Sequence, residues 1–267
     1  MPLLNDQSFP SDWVQPDTVP RPVVTYGIMS DRLGKVELAF HRHEKSQFML
    51  TLRGVLSCEL EGGLWIVPPQ SAIWIPSGVL HSVKFSGSIE GYNAFIDPAV
   101  CGDLPASCCT LSTTPLLREL LVRAAHLPLL YPEEGMAQRL VALLLDEMAI
   151  AAPGKLHLPM PSDERLRKLV DMIVADPGDR VTMDAWAARA GMSERTLARL
   201  ISRHTGMSFG RWRQQLRIML ALQLLAKGMS IQQVADRLGY ESAGSFVTMF
   251  RRMLGAPPGR YMAQQRT

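Results

Sequence analysis

Cysteine is scarce in this chain of 267 residues: Cys58, Cys101, Cys108 and Cys109 are all there are, and none stands in C-x-x-C spacing. That excludes a disulfide scaffold and a zinc-stapled one, and in a reducing compartment the four are expected as thiols. Long apolar runs are missing too. The richest stretch, LLRELLVRAAHLPLL, is broken by charge and proline, short of the roughly 18 uninterrupted apolar residues that mark a membrane helix. The start, MPLLNDQSFPSDW, lacks a basic segment followed by an apolar one, so no secretory signal is read and a cytoplasmic location without a membrane partner is expected. Charged residues make up only 20% of the chain and hydrophobic ones 47%, the balance of a globular protein with room for two domains.

The charge is unevenly spread. Residues 161–267 hold 17 Lys and Arg against 9 Asp and Glu, whereas residues 1–160 hold 11 against 16. Phosphate backbones reward the basic half, so a nucleic-acid partner is expected there.

That same half says one thing twice. Aligning MDAWAARAGM with IQQVADRLGY pairs Met183 with Ile231, Trp186 with Val234, Ala187 with Ala235, Ala190 with Leu238 and Gly191 with Gly239. After one extra residue, Leu197 pairs with Phe246, Ile201 with Phe250, Gly206 with Gly255 and Trp212 with Tyr261. Apolar anchors repeating around a shared glycine mark a duplicated unit. In each copy the spacing i, i+3, i+4, i+7 predicts a short helix, the glycine ends it, and Ser193 or Ser242 opens a second helix. This is the helix-turn-helix pattern, whose second helix can enter a major groove. Ser230 with Gln233 predicts a capping box on the second copy.

The motifs AARAGMSERTLARLISRHTGMSFGRW and IQQVADRLGYESAGSFVTMFRRMLGAPPGRY, joined by FGRWRQQLRIMLALQLLAKG, resemble the DNA-binding domain of the AraC/XylS family of transcription regulators. The resemblance implies that both hairpins dock on one face of promoter DNA, with RNA polymerase as a further partner if the output is activation. On the first recognition helix the outward positions Arg195, Ala198, Arg199 and Ser202 are expected to read bases, the two arginines through bidentate contacts to guanine. On the second, Ala243, Gly244, Val247 and Thr248 are small and suit thymine methyls or close approach. Arg203, Arg251, Arg252 and Arg260 are expected at phosphates.

Residues 1–22, rich in Pro, Asp and Ser, are read as an extended arm. From Val23 to about Asp97 short runs alternate with turn residues: VELAFH, QFMLTLR, VLSCELE, LWIVPP, AIWIP, HSVKF and YNAFI. Breaks near every tenth residue, at Gly54 and Gly87 among others, predict a small antiparallel barrel. Within it, His41, His43, Gln47 and Gly54, then Pro76, Gly78 and His81, resemble the paired motifs of the cupin superfamily, with Gln47 where that pattern has Glu and Phe85 where it has Asn. The resemblance implies that His41, His43, Gln47 and His81 are candidate ligands of a divalent transition metal. Hydrogen bonding to an organic effector is the other use of the same groups. Strand alternation adds Met49, Thr51, Val83 and Phe85 to the pocket wall, a largely apolar lining suited to a small aromatic or heterocyclic effector.

A period of 3.6 returns over residues 114–151, where two helices are expected to pack on the barrel or form a homodimer seam. The Pro-rich stretch 153–161 is read as the linker between a sensor and dimerisation domain, 23–152, and the DNA-binding domain, 162–267, whose first helix opens at Ser162. The whole is α+β: a cupin-like barrel followed by helices, then an all-α double helix-turn-helix. It is read as an effector-controlled, sequence-specific DNA binder and not an enzyme, with no certain cofactor and no catalytic residue. The rivals are a metal-dependent cupin enzyme with a DNA-binding appendage, and a constitutive DNA binder whose barrel only dimerises.

Overall fold

The computed structural model describes residues 14–30, 37–60, 63–67, 69–152, 157–161 and 163–264. Contacts divide the chain into two compact units, with the main boundary between His157 and Leu158 and with Gly63 and Leu64 grouped with the second unit.

The described residues of the N-terminal unit form strands β1 (Val23–Ser30), β2 (Glu37–His41), β3 (Ser46–Leu60), β4 (Gly63–Val67), β5 (Ser71–Ile75), β6 (His81–Ile96) and β7 (Cys109–Ser112). β3 and β6 are too long to remain flat. They pair antiparallel from Ser46 with Ile96 to Leu60 with His81, and the register slips on both sides of Arg53. Such slips are bulges, which bend a strand and increase its twist. Gly54, at φ +83°, supplies a conformation that a side chain would resist. Before the bend β3 pairs with β5, β5 with β7, and the far half of β6 with β1. Beyond it β6 pairs with β2 and β3 with β4. One bent pair of strands therefore belongs to both walls of the barrel.

The bend corrects part of the expected strand list. QFMLTLR and VLSCELE are one strand, as are HSVKF and YNAFI, because a bulge lets the ladder continue through a glycine where a turn was expected.

Alternation along β3 sorts its side chains into two cores. Phe48 and Leu50 face outward and bury with Trp74, Ile96 and Leu111 against two helices, α1 (Pro115–Ala124) and α2 (Met136–Ala149). Met49 faces inward with Leu56, Ile73, Val83 and Phe85. Each such large side chain contributes roughly 1.5–3 kcal/mol when fully buried. Both helices bury one stripe, Leu117, Leu121 and Ala124 on α1 and Val141, Leu144 and Met148 on α2, while Leu116, Met136 and Leu143 are exposed.

Of the arm, residues 14–22 are described. Asp17 accepts hydrogen bonds from the Glu44 and Lys45 amides at 3.0 and 2.9 Å. Lys45, buried, donates its ammonium to the Val19 and Arg21 carbonyls, both at 2.8 Å. Arg21 pairs with Glu133 and donates to the Tyr131 carbonyl.

The second unit is helical: α3 (Glu164–Ala175), α4 (Met183–Arg189), α5 (Glu194–Thr205), α6 (Phe209–Ala226), α7 (Ile231–Arg237), α8 (Ala243–Leu254) and α9 (Pro258–Gln264). Asp163 caps α3, accepting from the Arg165 and Leu166 amides; Ser162, expected in that role, lies outside the described residues. α4 with α5 and α7 with α8 are the two hairpins, and α6, about 27 Å long at 1.5 Å per residue, joins them. The repeated anchors are core: Trp186, Leu197, Ile201, Trp212, Val234, Phe246 and Phe250 are all nearly inaccessible. Aromatic edges bind the second hairpin into one stack, running from Tyr240 to Phe246, Phe250 and Tyr261 at 5.5 to 5.7 Å between rings.

Candidate effector cavity and nucleic-acid interface

Three histidines meet at one end of the barrel because two strands deliver them. β2 pairs with β6 so that His41 lies opposite His81, and His43 follows β2 by two residues, which returns it to the same side. Ring centroids are 4.3 Å apart for His41 and His81, 4.9 Å for His41 and His43, and 5.5 Å for His43 and His81. The ligand atoms of all three lie within 4.8 Å of one another.

Their hydrogen bonds fix two of the tautomers. The Nδ1 atoms of His41 and His81 approach the carbonyls of Ala39 and Val79 at 2.8 and 2.9 Å. A carbonyl only accepts, so both Nδ1 atoms carry hydrogen, and in a neutral ring the lone pair is left on Nε2. Burial pushes the His81 imidazole down to about 4, partly offset by the Val79 carbonyl, and it is neutral at pH 7. Burial likewise lowers His43, with the His41 charge acting the same way and Asp17 opposing. Gln47 Oε1 stands 3.1 Å from His81 Nε2, an acceptor facing a lone pair. Turning the Gln47 amide, and Asn93 beyond it at 3.4 Å, or placing a cation there resolves the conflict. His43 Nδ1 is buried with no partner.

These donors fit a divalent transition metal: imidazoles with two Nδ1–H groups fixed on backbone carbonyls, an amide oxygen, and one imidazole nitrogen unmatched inside the site. The carboxylate that would favour a divalent charge is absent from this set, Gln47 standing in its place.

A cavity of about 290 Å³ opens beside the cluster. Of the residues expected to line it, His41, His43, Gln47, Met49, Val83 and Phe85 do. His81 is behind the wall, touching it through Gln47 and His41. Thr51 is buried, past the cavity and next to the bend, where its carbonyl accepts from the Gln70 amide. Sequence reasoning missed Ile28, Leu38, Asn93 and Phe95, which line it as well. The only available signal was register, since Asn93 lies across from Met49 and Phe95 from Gln47. Among the described residues no Asp or Glu lines the cavity, and the one charged residue there is the exposed Arg42.

In the second unit, Ser193 accepts from the Thr196 amide and begins α5, and Gly206, in the left-handed region at φ +67°, ends it. Arg195, Ala198, Arg199, Ser202 and Arg203 are exposed on one side, and Leu197, Leu200 and Ile201 are buried on the other. Serine also caps α8: Ser242 and Ser245 close a capping box. Gly244, Thr248, Arg251 and Arg252 are exposed, as is Arg260 on α9, while Ala243 and Val247 are half-buried. The Thr248 hydroxyl donates to the Gly244 carbonyl at 2.9 Å, so it serves its own helix. Ser230 and Gln233 form the expected capping box on α7.

Residues 34–170 match the AraC-like ligand binding domain, and residues 186–264 match a helix-turn-helix domain. The chain belongs to the AraC family of transcription regulators. It is 44% identical to the HTH-type transcriptional regulator NimR of Escherichia coli K12 over 227 residues, covering 85% of this chain and 83% of NimR. The HTH-type transcriptional regulator RipA of Corynebacterium glutamicum is 35% identical over 107 residues, 40% of this chain and 32% of RipA. Among solved structures, the DNA-binding domain of AdpA in complex with a target DNA covers 39% of this chain and 95% of its own, at 31% identity and a TM-score of 0.37. Like other AraC-family regulators, the chain has a cupin-like ligand-binding domain followed by a helix-turn-helix DNA-binding domain. No helix among the described residues is long and apolar enough to cross a membrane.

Proposed function

We propose that this AraC-family regulator senses a small, largely apolar molecule in the barrel cavity and converts its binding into a change of affinity for promoter DNA. The cavity carries the reading: some 290 Å³ walled by Ile28, Leu38, Met49, Val83, Phe85 and Phe95, with amides and imidazoles gathered at one end. Such a lining suits a planar aromatic or heterocyclic body with one or two polar groups. Among the described residues of the wall no carboxylate offers a counter-charge to a cationic ligand. His41, His43 and His81, with Gln47, are the groups that would hold a transition metal, which would supply a Lewis-acidic anchor for the ligand's polar end.

At the DNA, α5 is the principal reader. Arg195 and Arg199 are one turn apart on its exposed face, and Ala198 and Ser202 complete that face. α8 contributes close approach through Ala243, Gly244, Val247 and Thr248, with Arg203, Arg251, Arg252 and Arg260 at phosphates. The chain works as a homodimer through the exposed Leu116, Met136 and Leu143 of α1 and α2, and engages RNA polymerase where it activates. It acts as a regulator rather than an enzyme.

Effector binding alters DNA affinity only if the effector favours one state of the protein over another. The test takes the full chain and genomic fragments that it retains. Small aromatic heterocycles that raise its melting temperature should shift its affinity for those fragments at least several-fold. Affinity that is unchanged by every stabilising compound, and unchanged on deleting residues 1–152, would refute the coupling. A cobalt(II) titration read by visible absorption tests the metal separately. Stoichiometric uptake lost in His41→Ala supports it, and no uptake sinks it.

A further inference from the structure

α6 is the covalent link between the hairpins and buries Trp212, Leu216, Met219 and Leu222 among them. A second connection braces the pair. The loop between α3 and α4, residues 176–181, touches both hairpins and the helix between them.

Toward the first hairpin, the Asp179 carboxylate pairs with Arg189 of α4 at 2.5 Å. Toward α6, the Asp179 carbonyl accepts from Arg213 Nη2 and the Pro177 carbonyl from Arg217 Nε at 3.3 Å. Toward the second hairpin, the loop meets the turn after α7 backbone to backbone. A Cβ added at Gly239 would lie 2.2 Å from the Gly178 oxygen, and one added at Gly178 would lie 2.8 Å from the Arg237 oxygen. Only two glycines allow that approach.

The two arginines of α6 complete the bracket. Arg213 covers the Trp186 ring of the first hairpin at 5.7 Å, and Arg217 covers the Tyr240 ring of the second at 5.6 Å. They stand four residues apart, so they project from the same face. Each therefore holds a loop carbonyl and an aromatic ring from one hairpin, and these contacts withdraw both from the DNA.

We propose that this loop is a strut setting the angle and separation of the two recognition helices, and that Gly178, Gly239, Arg213 and Arg217 are positioning residues that determine which spacing of groove contacts the protein accepts. The proposal rests on both hairpins engaging DNA. A side chain at Gly239 would push the loop and the turn apart by about 1 Å to regain ordinary contact, and the recognition helix beyond the turn would move with it.

The experiment uses the full chain and a duplex that it selects from a random pool. Footprinting locates the protected major-groove segments, and one base pair is then inserted or removed between them. Each such step shifts one segment by about 3.4 Å and turns it by roughly 36°. The native protein should lose at least tenfold in affinity for either altered duplex. Gly239→Ala and Arg217→Met should show less than a threefold difference between spacings, with affinity for random duplex within threefold of native. Gly239 sits at φ +75°, so alanine there is strained. If circular dichroism shows Gly239→Ala unfolded, Gly178→Ala and Arg217→Met decide the matter.

Folded variants that keep the native spacing penalty overturn the strut. A single protected segment overturns the two-headed reading beneath it, and the strut with it.

Discussion

Replacing Arg195 with alanine should move fold stability and DNA affinity in opposite directions. Arg195 is the second residue of α5, two positions after the Ser193 cap, where the helix dipole presents its positive end. A cation there is unfavourable by roughly 0.3–1 kcal/mol, and alanine is the better helix former. Its side chain is exposed, so truncation removes no core contact. Stability should hold or rise by up to about 1 kcal/mol. If the guanidinium reads a base, affinity for the selected duplex should fall by about 1–3 kcal/mol, roughly 5- to 150-fold, with preference relaxed at one base pair. Arg251 is the control. It sits in the last turn of α8, where a cation favours the helix, so alanine should cost about 0.3–1 kcal/mol of stability. Losing one phosphate contact should lower the salt slope by about 0.9, so that going from 50 to 200 mM salt costs this variant about 3.5-fold less affinity than it costs the native chain. Anisotropy titrations at four salt concentrations, with thermal melts alongside, separate the two. If Arg195→Ala weakens every sequence equally and shifts the slope as Arg251→Ala does, the assignment of reader and anchor is wrong.

Filling the cavity with Met49→Trp should abolish calorimetric binding of any effector found, while changing effector-free DNA affinity less than about twofold; retained effector binding would place the site elsewhere. In chelator-treated protein, the depressed His81 makes the unfolded chain the stronger proton binder between its ordinary value of 6.5 and about 4. Stability must therefore rise with pH across that window, by up to about 3 kcal/mol. Comparing urea midpoints of native and His81→Gln protein across this range checks it, and identical slopes would refute it. Gly244→Ala should stabilise α8 by about 1 kcal/mol, because the new Cβ meets nothing nearer than Ser242 Oγ at 3.7 Å. If Gly244 serves close approach to DNA, the same change should weaken duplex binding by roughly fivefold; tighter or equal binding would remove that role.

The second unit was legible in the sequence because its signals are local. Serine caps, left-handed glycines and a 3.6-residue apolar period each act within one or two turns, and the repeat stated them twice. The barrel was legible as alternation, but its connectivity was not. Gly54 reads as a turn until one sees that β6 follows β3 through the bend, where the pairing joins Thr51 to Gly91 and Val55 to Ser86, residues far apart in sequence. The same limit explains the missed cavity wall. Ile28, Asn93 and Phe95 carry no motif; register against β3 brings Asn93 to Met49 and Phe95 to Gln47, and register against β6 brings in Ile28. Arg213 and Arg217 look like any other basic residues on a helix near DNA, and their commitment to Pro177 and Asp179 comes from a loop 34 and 40 residues away.

The short segment from His43 to Gln47 joins the two parts of the sensor unit that a ligand would have to affect. His43 and Gln47 line the cavity. Between them, the amides of Glu44 and Lys45 are held by Asp17, and the Lys45 ammonium holds the Val19 and Arg21 carbonyls of the arm. Burial lowers Lys45, with the Asp97 and Asp17 carboxylates opposing, so the arm's anchor is a buried cation that depends on those carboxylates. A ligand that moves His43 or Gln47 should also move the amides grasped by Asp17, so the arm is expected to register occupancy. Asp17→Ala removes both amide bonds and one of the two opposing charges, and should cost about 2 kcal/mol of stability. Hydrogen exchange gives the sharper measurement. In the native chain, effector binding should change protection of the Thr18 and Val19 amides, which donate to Gln15 and Pro16 within the arm. In Asp17→Ala that change should vanish while the effector still binds. If the native arm amides do not respond to a bound effector, the signal leaves the cavity by another route.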